Sequence, residues 1–338
     1  MPERDPMSTV LLTDRAWPDD SVEREVVEAA GFQLVVGPAD PATAEAIEAL
    51  VELHRPAAVL TCWAPVSAQA IDEGAARGPL RHVARMGVGL DNIAVDAATE
   101  AGVLVTNVPD YCIAEVSDHA LAMVLAWTRG LVVADREVRA GRWEPAAARL
   151  RRLSALTVGV VGFGRIGRAT ATKLRALGAQ VVASDPFALP TDDFPLVDLA
   201  ELLAVSDVVI LHAPLTAGTH HLIDDDALRR MRQGALLVNV SRGGLVDTDA
   251  LVAALDRGHL SGAALDVLES EPDVPAALLA HPGVIVSPHI AFSSDASVTD
   301  LRRFAAEEVV RVLRGEPARN ACNSPAPVTD RMTNGTHS

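Results

Sequence analysis

A glycine-rich turn after an apolar segment is the part of this 338-residue sequence whose chemistry is easiest to interpret. The letters GFGRIG at 162–167 directly follow the β-branched, apolar run 157–161 and open a helical pattern. In such a turn the first glycine permits a tight bend, the second lets the backbone approach a pyrophosphate, and the third lets helix and strand pack closely. The N–H groups at the start of the helix then face the phosphates. The pattern predicts a dinucleotide site, the alternative being a glycine-rich turn without a ligand.

An acid at the end of the next strand indicates which dinucleotide is bound. Asp185 directly follows the predicted strand 180–184, about 20 residues beyond the glycine turn. A carboxylate at this position can accept hydrogen bonds from the adenosine ribose hydroxyls, and it repels the 2′-phosphate of NADP(H). We therefore predict NAD(H) as the cofactor.

Three further residues with acid–base or anion-binding chemistry follow predicted strands of the same sheet. Arg242 offers a planar fork of donors to a carboxylate or carbonyl oxygen, and His289 can exchange a proton near neutral pH. A neighbouring glutamate, Glu269 or Glu271, would orient the imidazole and favour its protonated form. Each residue alone also fits a plain loop or turn role. Their joint placement beside a cofactor turn predicts proton transfer to a bound substrate.

The surrounding elements must bring these residues to one edge of a sheet. Apolar runs alternate with helical patterns, as in an open, mostly parallel α/β sheet, and ligands of such sheets bind outside the carboxyl ends of the strands. The predicted strands are 10–12, 33–36, 57–61, 82–86, 103–106, 157–161, 180–184, 207–211, 236–240, 263–267 and 284–287, and the predicted helices include 19–30, 41–54, 66–76, 113–131, 132–140 and 296–314.

Two alternating series of strands and helices predict two domains. We assign residues 1–107 and 291–316 to a substrate domain, residues 108–290 to a cofactor domain, and the polar residues 317–338 to a disordered tail. The predicted fold class is α/β, with two doubly wound, parallel-sheet (Rossmann-like) domains and a cleft between them. The catalytic residues should face that cleft.

The composition argues against several classes of function. The formal net charge is −16, and nucleic-acid binding relies on clusters of Lys and Arg, so we expect no nucleic-acid partner. No apolar run has the length of a membrane span, and the first residues lack a signal-peptide pattern, so we expect no membrane partner. Cys62, Cys112 and Cys322 match no metal or redox spacing, so we expect a cytoplasmic protein without a bound metal.

Seven motifs together carry a family resemblance. They are RMGVGLDNIAVD (85–96), NVPDYCIAEVSDHALAMVLA (107–126), VGFGRIGR (161–168), HAPLT (212–216), VNVSRGGLVD (238–247), GAALDVLESEP (262–272) and SPHIAFSS (287–294). The chain resembles the D-isomer-specific 2-hydroxyacid dehydrogenase family, most of all its C-terminal binding protein branch and bacterial relatives, and next the phosphoglycerate dehydrogenases. The resemblance implies an NAD-dependent enzyme that interconverts a small-molecule D-2-hydroxy acid and its 2-keto acid by hydride transfer.

The resemblance also implies roles for individual residues. Arg242 would bind the substrate carboxylate and the reacting carbonyl oxygen. His289, paired with Glu271 in preference to Glu269, would be the general acid of reduction and the general base of oxidation. The backbone N–H groups of Val88 and Gly89 would hold the substrate carboxylate, and Asp266 would hold the nicotinamide carboxamide. The predicted cofactor-binding residues are Gly162, Gly164, Arg165, Ile166, Gly167, Asp185, His212, Ala213, Pro214, Thr219, Val240, Ser241 and Asp266.

Two adjacent histidines stand apart from this set. His220 and His221 precede an apolar run, and adjacent residues on one element face apart, so we assign them to a helix entry and to the cofactor side. Hydride transfer is the chemistry of the cofactor, while the protein supplies orientation and a proton. The predicted mechanism therefore uses no metal.

The sequence departs from the family pattern near the expected substrate. Segment 61–65 reads TCWAP where many relatives carry an arginine that holds a phosphate or second anionic group, which weakens phosphoglycerate as a substrate. Trp63 and Tyr111 would form an apolar wall or belong to the core. Phe292 stands where the C-terminal binding protein branch has a tryptophan, which leaves more room beside the histidine.

The resemblance leaves a second function open and implies an assembly. The alternative function is an NADH-sensing regulatory protein of the C-terminal binding protein type, with little turnover. Segment 111–150 is long, apolar on one face and similar to the arm with which relatives pair, so we expect a homodimer. The alternative for this segment is a plain interdomain helix.

Overall fold

The chain folds into two compact units. The computed structural model describes residues 8–38, 43–144, 150–189 and 192–325. The first unit joins the chain up to Tyr111 with the chain from Ser294 onward, and the second is Cys112–Ser293, so the crossings follow the predicted ones by four and three residues. Parts of three predicted segments lie outside the described residues: 41–42 of a helix, 145–149 of the arm and 326–338 of the tail.

Strands and helices alternate along most of the described chain. In chain order they are β1 (Thr9–Leu12), α1 (Ser21–Ala29), β2 (Gln33–Val36), α2 (Ala44–His54), β3 (Ala58–Thr61), α3 (Ala68–Arg77), β4 (His82–Arg85), α4 (Val95–Glu100), β5 (Leu104–Thr106), α5 (Ile113–Thr128), α6 (Leu131–Arg139), β6 (Thr157–Val161), α7 (Arg165–Ala176), β7 (Gln180–Ser184), α8 (Leu199–Val205), β8 (Val208–Leu211), α9 (Asp225–Arg230), β9 (Ala235–Asn239), α10 (Thr248–Asp256), β10 (Leu260–Leu265), α11 (Ala276–Ala280), β11 (Val284–Val286) and α12 (Asp295–Leu313).

The sheet of the first unit has five parallel strands in the order β2-β1-β3-β4-β5. β3 and β4 are buried along their whole length, as expected for a parallel sheet that helices cover on both faces. This order is one of the two common doubly wound arrangements, and it reverses between β1 and β3.

The sheet of the second unit has six parallel strands in the order β11-β10-β9-β8-β6-β7. A single parallel bridge between Ala183 and Leu196 continues the sheet beyond β7. The strand order reverses between β6 and β8, and the crevice outside the carboxyl ends at such a reversal is where ligands of open α/β sheets bind. The two doubly wound parallel sheets confirm the predicted fold class.

Two sequence expectations on local structure need correction. β10 begins at Leu260 and not at residue 263, because a register shift between Leu260 and Gly262 lets a polar and small segment join the ladder with β9. The tail assigned to disorder from residue 317 is hydrogen-bonded at its start: the Cys322 N–H donates to the Val105 carbonyl at 2.8 Å, and the Asn323 side chain accepts from the Val105 N–H at 2.8 Å. β5 lies at an edge of its sheet, so no strand pairs with its backbone on that side, and residues 322–323 form hydrogen bonds with it there instead.

Apolar length gives no sign of a membrane span. Among the described residues, every helix is too short or too polar to cross a bilayer.

A buried ion pair joins the last helix to α1 within the first unit. Arg302 of α12 reaches Glu23 of α1, with Nη2 2.8 Å from Oε2, and Nη2 also contacts Asp19 Oδ1 at 3.0 Å. The Glu23 side chain is fully buried and that of Arg302 is 9% exposed. Burial alone would lower the pKa of Arg302, but the hydrogen bonds and charges of Glu23 and Asp19 outweigh it and raise that pKa.

We expect Glu23→Ala to lower the free energy of unfolding of the first unit by about 3 kcal/mol, because it leaves the guanidinium of Arg302 buried with a weaker partner. Urea unfolding followed by circular dichroism measures this. Glu28→Ala is the matched control, since Glu28 pairs with Arg24 at the exposed surface of the same helix and such pairs contribute about 0–1 kcal/mol. Equal losses in the two variants would contradict the prediction.

Candidate active site

The glycine turn at 162–167 leaves an open position where a ligand can approach the backbone. Gly162 has φ +89°, and a Cβ there would lie 2.6 Å from the Ala213 nitrogen; at Gly167 a Cβ would lie 2.1 Å from the Gly162 carbonyl oxygen. At Gly164 an added Cβ would meet no atom within 4 Å. The first and third glycines are therefore required by the fold, whereas the second borders open space.

The start of α7 and the end of β7 flank this open position. Gly164 is the N-cap of α7 and has no side chain with which to cap it, so the N–H groups of the first turn can serve an anion. Asp185 accepts a hydrogen bond from the Phe163 N–H at 2.7 Å on one oxygen and from the Phe187 N–H at 2.8 Å on the other. Each carboxylate oxygen has two lone pairs, so Asp185 can still accept from a ribose.

An orphaned polar atom lies beside the same turn. Nε2 of His212, which follows β8, is buried and has no hydrogen-bond partner within the described part of the chain. Burial lowers the pKa of His212 to about 4, so its ring is neutral at pH 7 and does not act as a general acid there. The open glycine, the free helix start, the Asp185 carboxylate and this unpaired nitrogen fit a dinucleotide with a pyrophosphate and a ribose.

The remaining predicted cofactor residues lie around the carboxyl ends of β8 and β9. Ser241 donates from Oγ to the Ala213 carbonyl at 2.6 Å, which ties the two loops together. Thr219 donates to the Pro214 carbonyl at 2.7 Å and so shapes the loop after β8. Val240 is buried, Ile166 is half-buried and Arg165 is exposed at the start of α7.

The structure places His289 against Glu271. Nδ1 of His289 lies 2.8 Å from Oε2 of Glu271, and Oε1 of the same carboxylate accepts from the Leu268 N–H at 3.0 Å. The imidazole also makes an edge contact with Phe292, with ring centroids 6.2 Å apart. A carboxylate can only accept, so Nδ1 carries a hydrogen and Nε2 is the ring nitrogen left for a substrate.

Glu271 stays ionised across the neutral range. Burial alone would raise its pKa, but the hydrogen bond and charge of His289, the Leu268 N–H and the charge of Arg242 outweigh burial and hold the pKa below its ordinary 4.5. The ionised carboxylate therefore accepts the Nδ1 hydrogen of His289 throughout this range.

Arg242 lies next to this pair because the backbone approaches closely at Gly243. A Cβ at Gly243 would lie 1.9 Å from the Leu268 carbonyl carbon, so only glycine lets the turn after β9 pack on the loop that carries Glu271. Asn239 donates from Nδ2 to the Arg242 carbonyl at 2.8 Å, and Arg242 Nη1 donates to the Ser241 carbonyl at 2.8 Å. Arg242, Glu271 and His289 are thus brought together within the second unit.

Asp266 has a structural task that its predicted role did not include. Its buried carboxylate accepts from the Ser287 hydroxyl and the Ile290 N–H on Oδ1 and from the Ala291 N–H on Oδ2. It therefore holds the turn that carries His289. The predicted contact with the nicotinamide carboxamide stays a prediction.

Sequence reasoning missed two polar residues behind this turn, Ser287 and His119. Nε2 of His119, on α5, lies 3.0 Å from Ser287 Oγ. Two signals could have indicated them: Ser287 is a polar residue directly after β11, and His119 interrupts an otherwise apolar face of a long helix.

Glu269 and the adjacent histidines form a separate ion pair. Glu269 Oε1 lies 2.6 Å from His221 Nε2, and Oε2 accepts from the Thr248 N–H at 2.9 Å. The prediction that His220 and His221 face apart is wrong: their rings stack at 3.9 Å with planes 26° apart, because His221 has a left-handed backbone with φ +52°. These three residues could hold a metal ion by type and distance. In the structure Glu269 pairs directly with His221, and the hydrogen bond and charge of Glu269 raise the pKa of that histidine.

Val88 and Gly89 belong to the first unit, in the turn after β4. Val88 is 37% exposed and its carbonyl accepts from Asn107 Nδ2 at 2.7 Å. Trp63 and Tyr111 are half-buried and pack against the apolar core of the same unit. The prediction that Val88 and Gly89 share a substrate with His289 stays a prediction.

Segment 61–65 is shaped by a buried carboxylate. Asp14 accepts hydrogen bonds from the N–H groups of Cys62 and Trp63 at 2.9 and 2.7 Å. Burial raises the pKa of Cys62 to about 12, so this thiol stays protonated. The missing arginine in this segment is replaced by apolar side chains and a neutral thiol.

A family model matches the part of the chain that contains the site. The model described as the NAD binding domain of D-isomer specific 2-hydroxyacid dehydrogenases matches residues 121–291. These residues include the glycine turn, Asp185, Arg242, Glu271 and His289.

Similar proteins come from several kingdoms. D-3-phosphoglycerate dehydrogenase of Mycobacterium tuberculosis is 41% identical over 253 residues, which are 74% of this chain and 48% of that protein. The chain spans about half the length of the curated relatives that it matches. Two solved structures are similar over 94% of this chain at 27% identity: a glyoxylate reductase from Paecilomyes thermophila, with a TM-score of 0.85 over 99% of that chain, and D-lactate dehydrogenase from Aquifex aeolicus complexed with NAD and lactic acid, with a TM-score of 0.83 over 100% of that chain.

Proposed function

Because this chain belongs to the D-isomer-specific 2-hydroxyacid dehydrogenase family, we propose that it is an NAD-dependent oxidoreductase that interconverts a D-2-hydroxy acid and its 2-keto acid. The observation that carries the proposal is the contact of His289 with Glu271 in the same unit as the open glycine turn. The similar solved enzymes also support a dehydrogenase. The NADH-sensing alternative is not favoured, because the names of these similar proteins describe enzymes that act on hydroxy or keto acids.

The residues of the second unit divide the chemistry of the reaction. A bound nicotinamide dinucleotide supplies or accepts the hydride. During reduction, negative charge develops on the former carbonyl oxygen, and the guanidinium of Arg242 and the N–H of protonated His289 would stabilise it. Nε2 of His289 then gives its proton to that oxygen, and during oxidation the neutral Nε2 takes the hydroxyl proton.

Glu271 keeps His289 in the orientation that this proton transfer requires. Its ionised carboxylate accepts from Nδ1, which leaves Nε2 towards the substrate in both directions of the reaction. Its charge also stabilises the imidazolium that oxidation produces.

We expect His289→Gln to lower kcat by roughly 10²–10⁴, the usual contribution of a general acid, with NADH binding retained. Absorbance of NADH follows turnover against glyoxylate, pyruvate and branched, aromatic and phosphorylated 2-keto acids. His281→Gln is the matched control, since His281 precedes β11 and lies outside the Arg242–Glu271–His289 set. Normal turnover in His289→Gln would remove this residue from its role.

The direction of pH dependence is a second readout of the same assignment. Reduction consumes a proton that His289 supplies, so its rate should fall as pH rises, whereas oxidation needs a proton acceptor there, so its rate should fall as pH decreases. Glu271 has a pKa below 4.5, so it stays charged above that pH and does not itself change the rate there. The same trend in both directions would contradict the mechanism.

We also propose NAD(H) as the preferred dinucleotide, on the position of Asp185 beside the glycine turn. The 2′-phosphate that NADP(H) carries on its adenosine ribose would be repelled by this carboxylate. We expect Asp185→Ser to reduce the preference for NADH over NADPH, measured as the ratio of kcat/KM for the two. Asp193→Ser is the control, because Asp193 pairs with Arg175 at the surface. A wild-type protein that prefers NADPH would contradict the proposal.

The substrate is expected to carry no phosphate. The curated relatives are phosphoglycerate dehydrogenases by name, but segment 61–65 holds a neutral thiol and a tryptophan where the family pattern has an anion-binding arginine. We therefore expect the apolar and aromatic members of the 2-keto acid panel to be the better substrates.

A homodimer and a cytoplasmic location complete the proposal. No residue of α6 is buried, and Leu131 and Val138, one heptad apart, are 59% and 49% exposed. These exposed apolar side chains fit a contact with a second copy of the chain. All three cysteines are free thiols, which supports a reducing compartment.

We expect light scattering to give twice the chain mass of 35.5 kDa. Leu131→Asp should shift the mass towards a single chain because it places a charge in the contact. The control is Leu189→Asp, which changes an equally apolar, 78% exposed residue outside the arm. A wild-type monomer would contradict the assembly.

A further inference from the structure

The turn that carries His289 is fixed almost entirely by one residue, Asp266. The backbone carbonyl of Asp266 accepts from the His289 N–H at 2.8 Å. Its carboxylate accepts from the Ile290 and Ala291 N–H groups at 3.0 and 2.9 Å and from the Ser287 hydroxyl. The Asp266 side chain is 1% exposed, so water competes little for these bonds.

His289 needs this support because its backbone is strained. Its φ of +52° lies in the left-handed region, which is unfavourable for a residue with a Cβ. Such conformations persist where surrounding contacts determine them, and they occur often at functional sites. The direction of the imidazole therefore depends on the hydrogen bonds that hold residues 287–291.

The Ser287 hydroxyl connects this turn to α5. Asp266 Oδ1 can only accept, so the single hydroxyl hydrogen of Ser287 is used on Asp266. Ser287 Oγ must then accept from Nε2 of His119, 3.0 Å away. The direct distance from His119 Nε2 to Asp266 Oδ1 is 3.5 Å, which is long for a hydrogen bond, so Ser287 is the bridge.

α5 is a firm support for this bridge. It packs on α7, β9 and β10, and Lys173 of α7 donates to Asp118 Oδ1 at 2.6 Å and to Ser117 Oγ at 2.7 Å, one and two residues from His119. The bridge therefore links the strained turn to a packed helix of the same unit.

We propose that Ser287 and His119 are positioning residues that act through Asp266 to hold His289 in its catalytic orientation. The proposal rests on the proposed function for the role of His289, but the geometry that it explains exists without any substrate. Neither side chain needs to touch a substrate. Their effect is on the placement of Nε2, and misplacement of a reacting group by about 1 Å can reduce a rate by about 100-fold.

The first test compares two substitutions of Ser287. Ser287→Ala removes the bridge, and we expect kcat for 2-keto acid reduction to fall about tenfold with the Kd of NADH unchanged. Ser287→Thr keeps the hydroxyl and should recover most of kcat. The matched control is Ser261→Ala on β10, which removes a serine hydroxyl that donates to the Gly234 carbonyl at 2.7 Å at the other end of the strand.

The second test asks whether His119 acts through the same bridge. His119→Gln keeps an N–H donor at similar reach and should retain activity, whereas His119→Leu should lose it to the extent that Ser287→Ala does. The double variant with Ser287→Ala and His119→Leu should be no slower than either single variant, because residues that act through one contact are not additive. Additive losses would overturn the shared bridge.

A readout without turnover separates this proposal from the proposed function. The ring signals of ¹³C-labelled His289, assigned by their loss in His289→Gln, should be single and sharp in the wild type and shifted or broadened in Ser287→Ala. They should be unchanged in Ser261→Ala. Unchanged signals and kcat in Ser287→Ala would overturn the positioning role. A wild type that reduces no 2-keto acid but shows the expected signal change would refute the proposed function alone.

Discussion

All six strands of the second sheet run in the same direction, and the whole candidate site depends on this constraint. Parallel strands bring their carboxyl ends to one edge, so the residues after β6, β7, β8, β9, β10 and β11 become neighbours although they are far apart in sequence. The glycine turn, Asp185, His212, Arg242 and Glu271 each follow one of these strands. Strands of a parallel sheet that is covered on both faces must be apolar on both sides, and β8 and β9 accordingly consist mostly of Val, Ile, Leu and Ala.

The loop after β10 shows how two like charges are kept to separate tasks. Glu269 and Glu271 are two residues apart, and their side chains point to different partners. Glu269 binds His221 and the start of α10, whereas Glu271 binds His289. Each carboxylate has a cationic or donor partner, so both pKa values lie below the ordinary value in spite of burial. Glu269 thus anchors the loop on one side, and Glu271 holds His289 on the other.

The fold was predictable from local patterns because most strands of both sheets are largely apolar runs, as in β3 and β8. The glycine turn and the acid after the next strand were equally predictable, since each residue type at these positions has one physical role in dinucleotide binding. The choice between Glu269 and Glu271 could not be made from spacing, because it depends on which way a loop turns in space. The stacking of His220 on His221 was mispredicted for a similar reason: one left-handed residue reverses the rule that neighbours face apart.

The roles of Asp266 and Ser287 lay beyond sequence reasoning because hydrogen bonds to a turn leave no periodic signal. A second, continuous series of contacts connects the cofactor turn to His289 through other residues. Gly162 packs on the Ala213 nitrogen, and the Ala213 carbonyl accepts from Ser241, whose own carbonyl accepts from Arg242.

From that turn the contacts continue to the acid. Gly243 packs on the backbone of Leu268, whose N–H holds Glu271, and Glu271 holds the ring of His289. The cofactor turn and the acid are therefore joined by close packing and hydrogen bonds. In the proposed reaction, an edge held in this way would orient the hydride and proton donors towards one carbonyl group before the reaction begins.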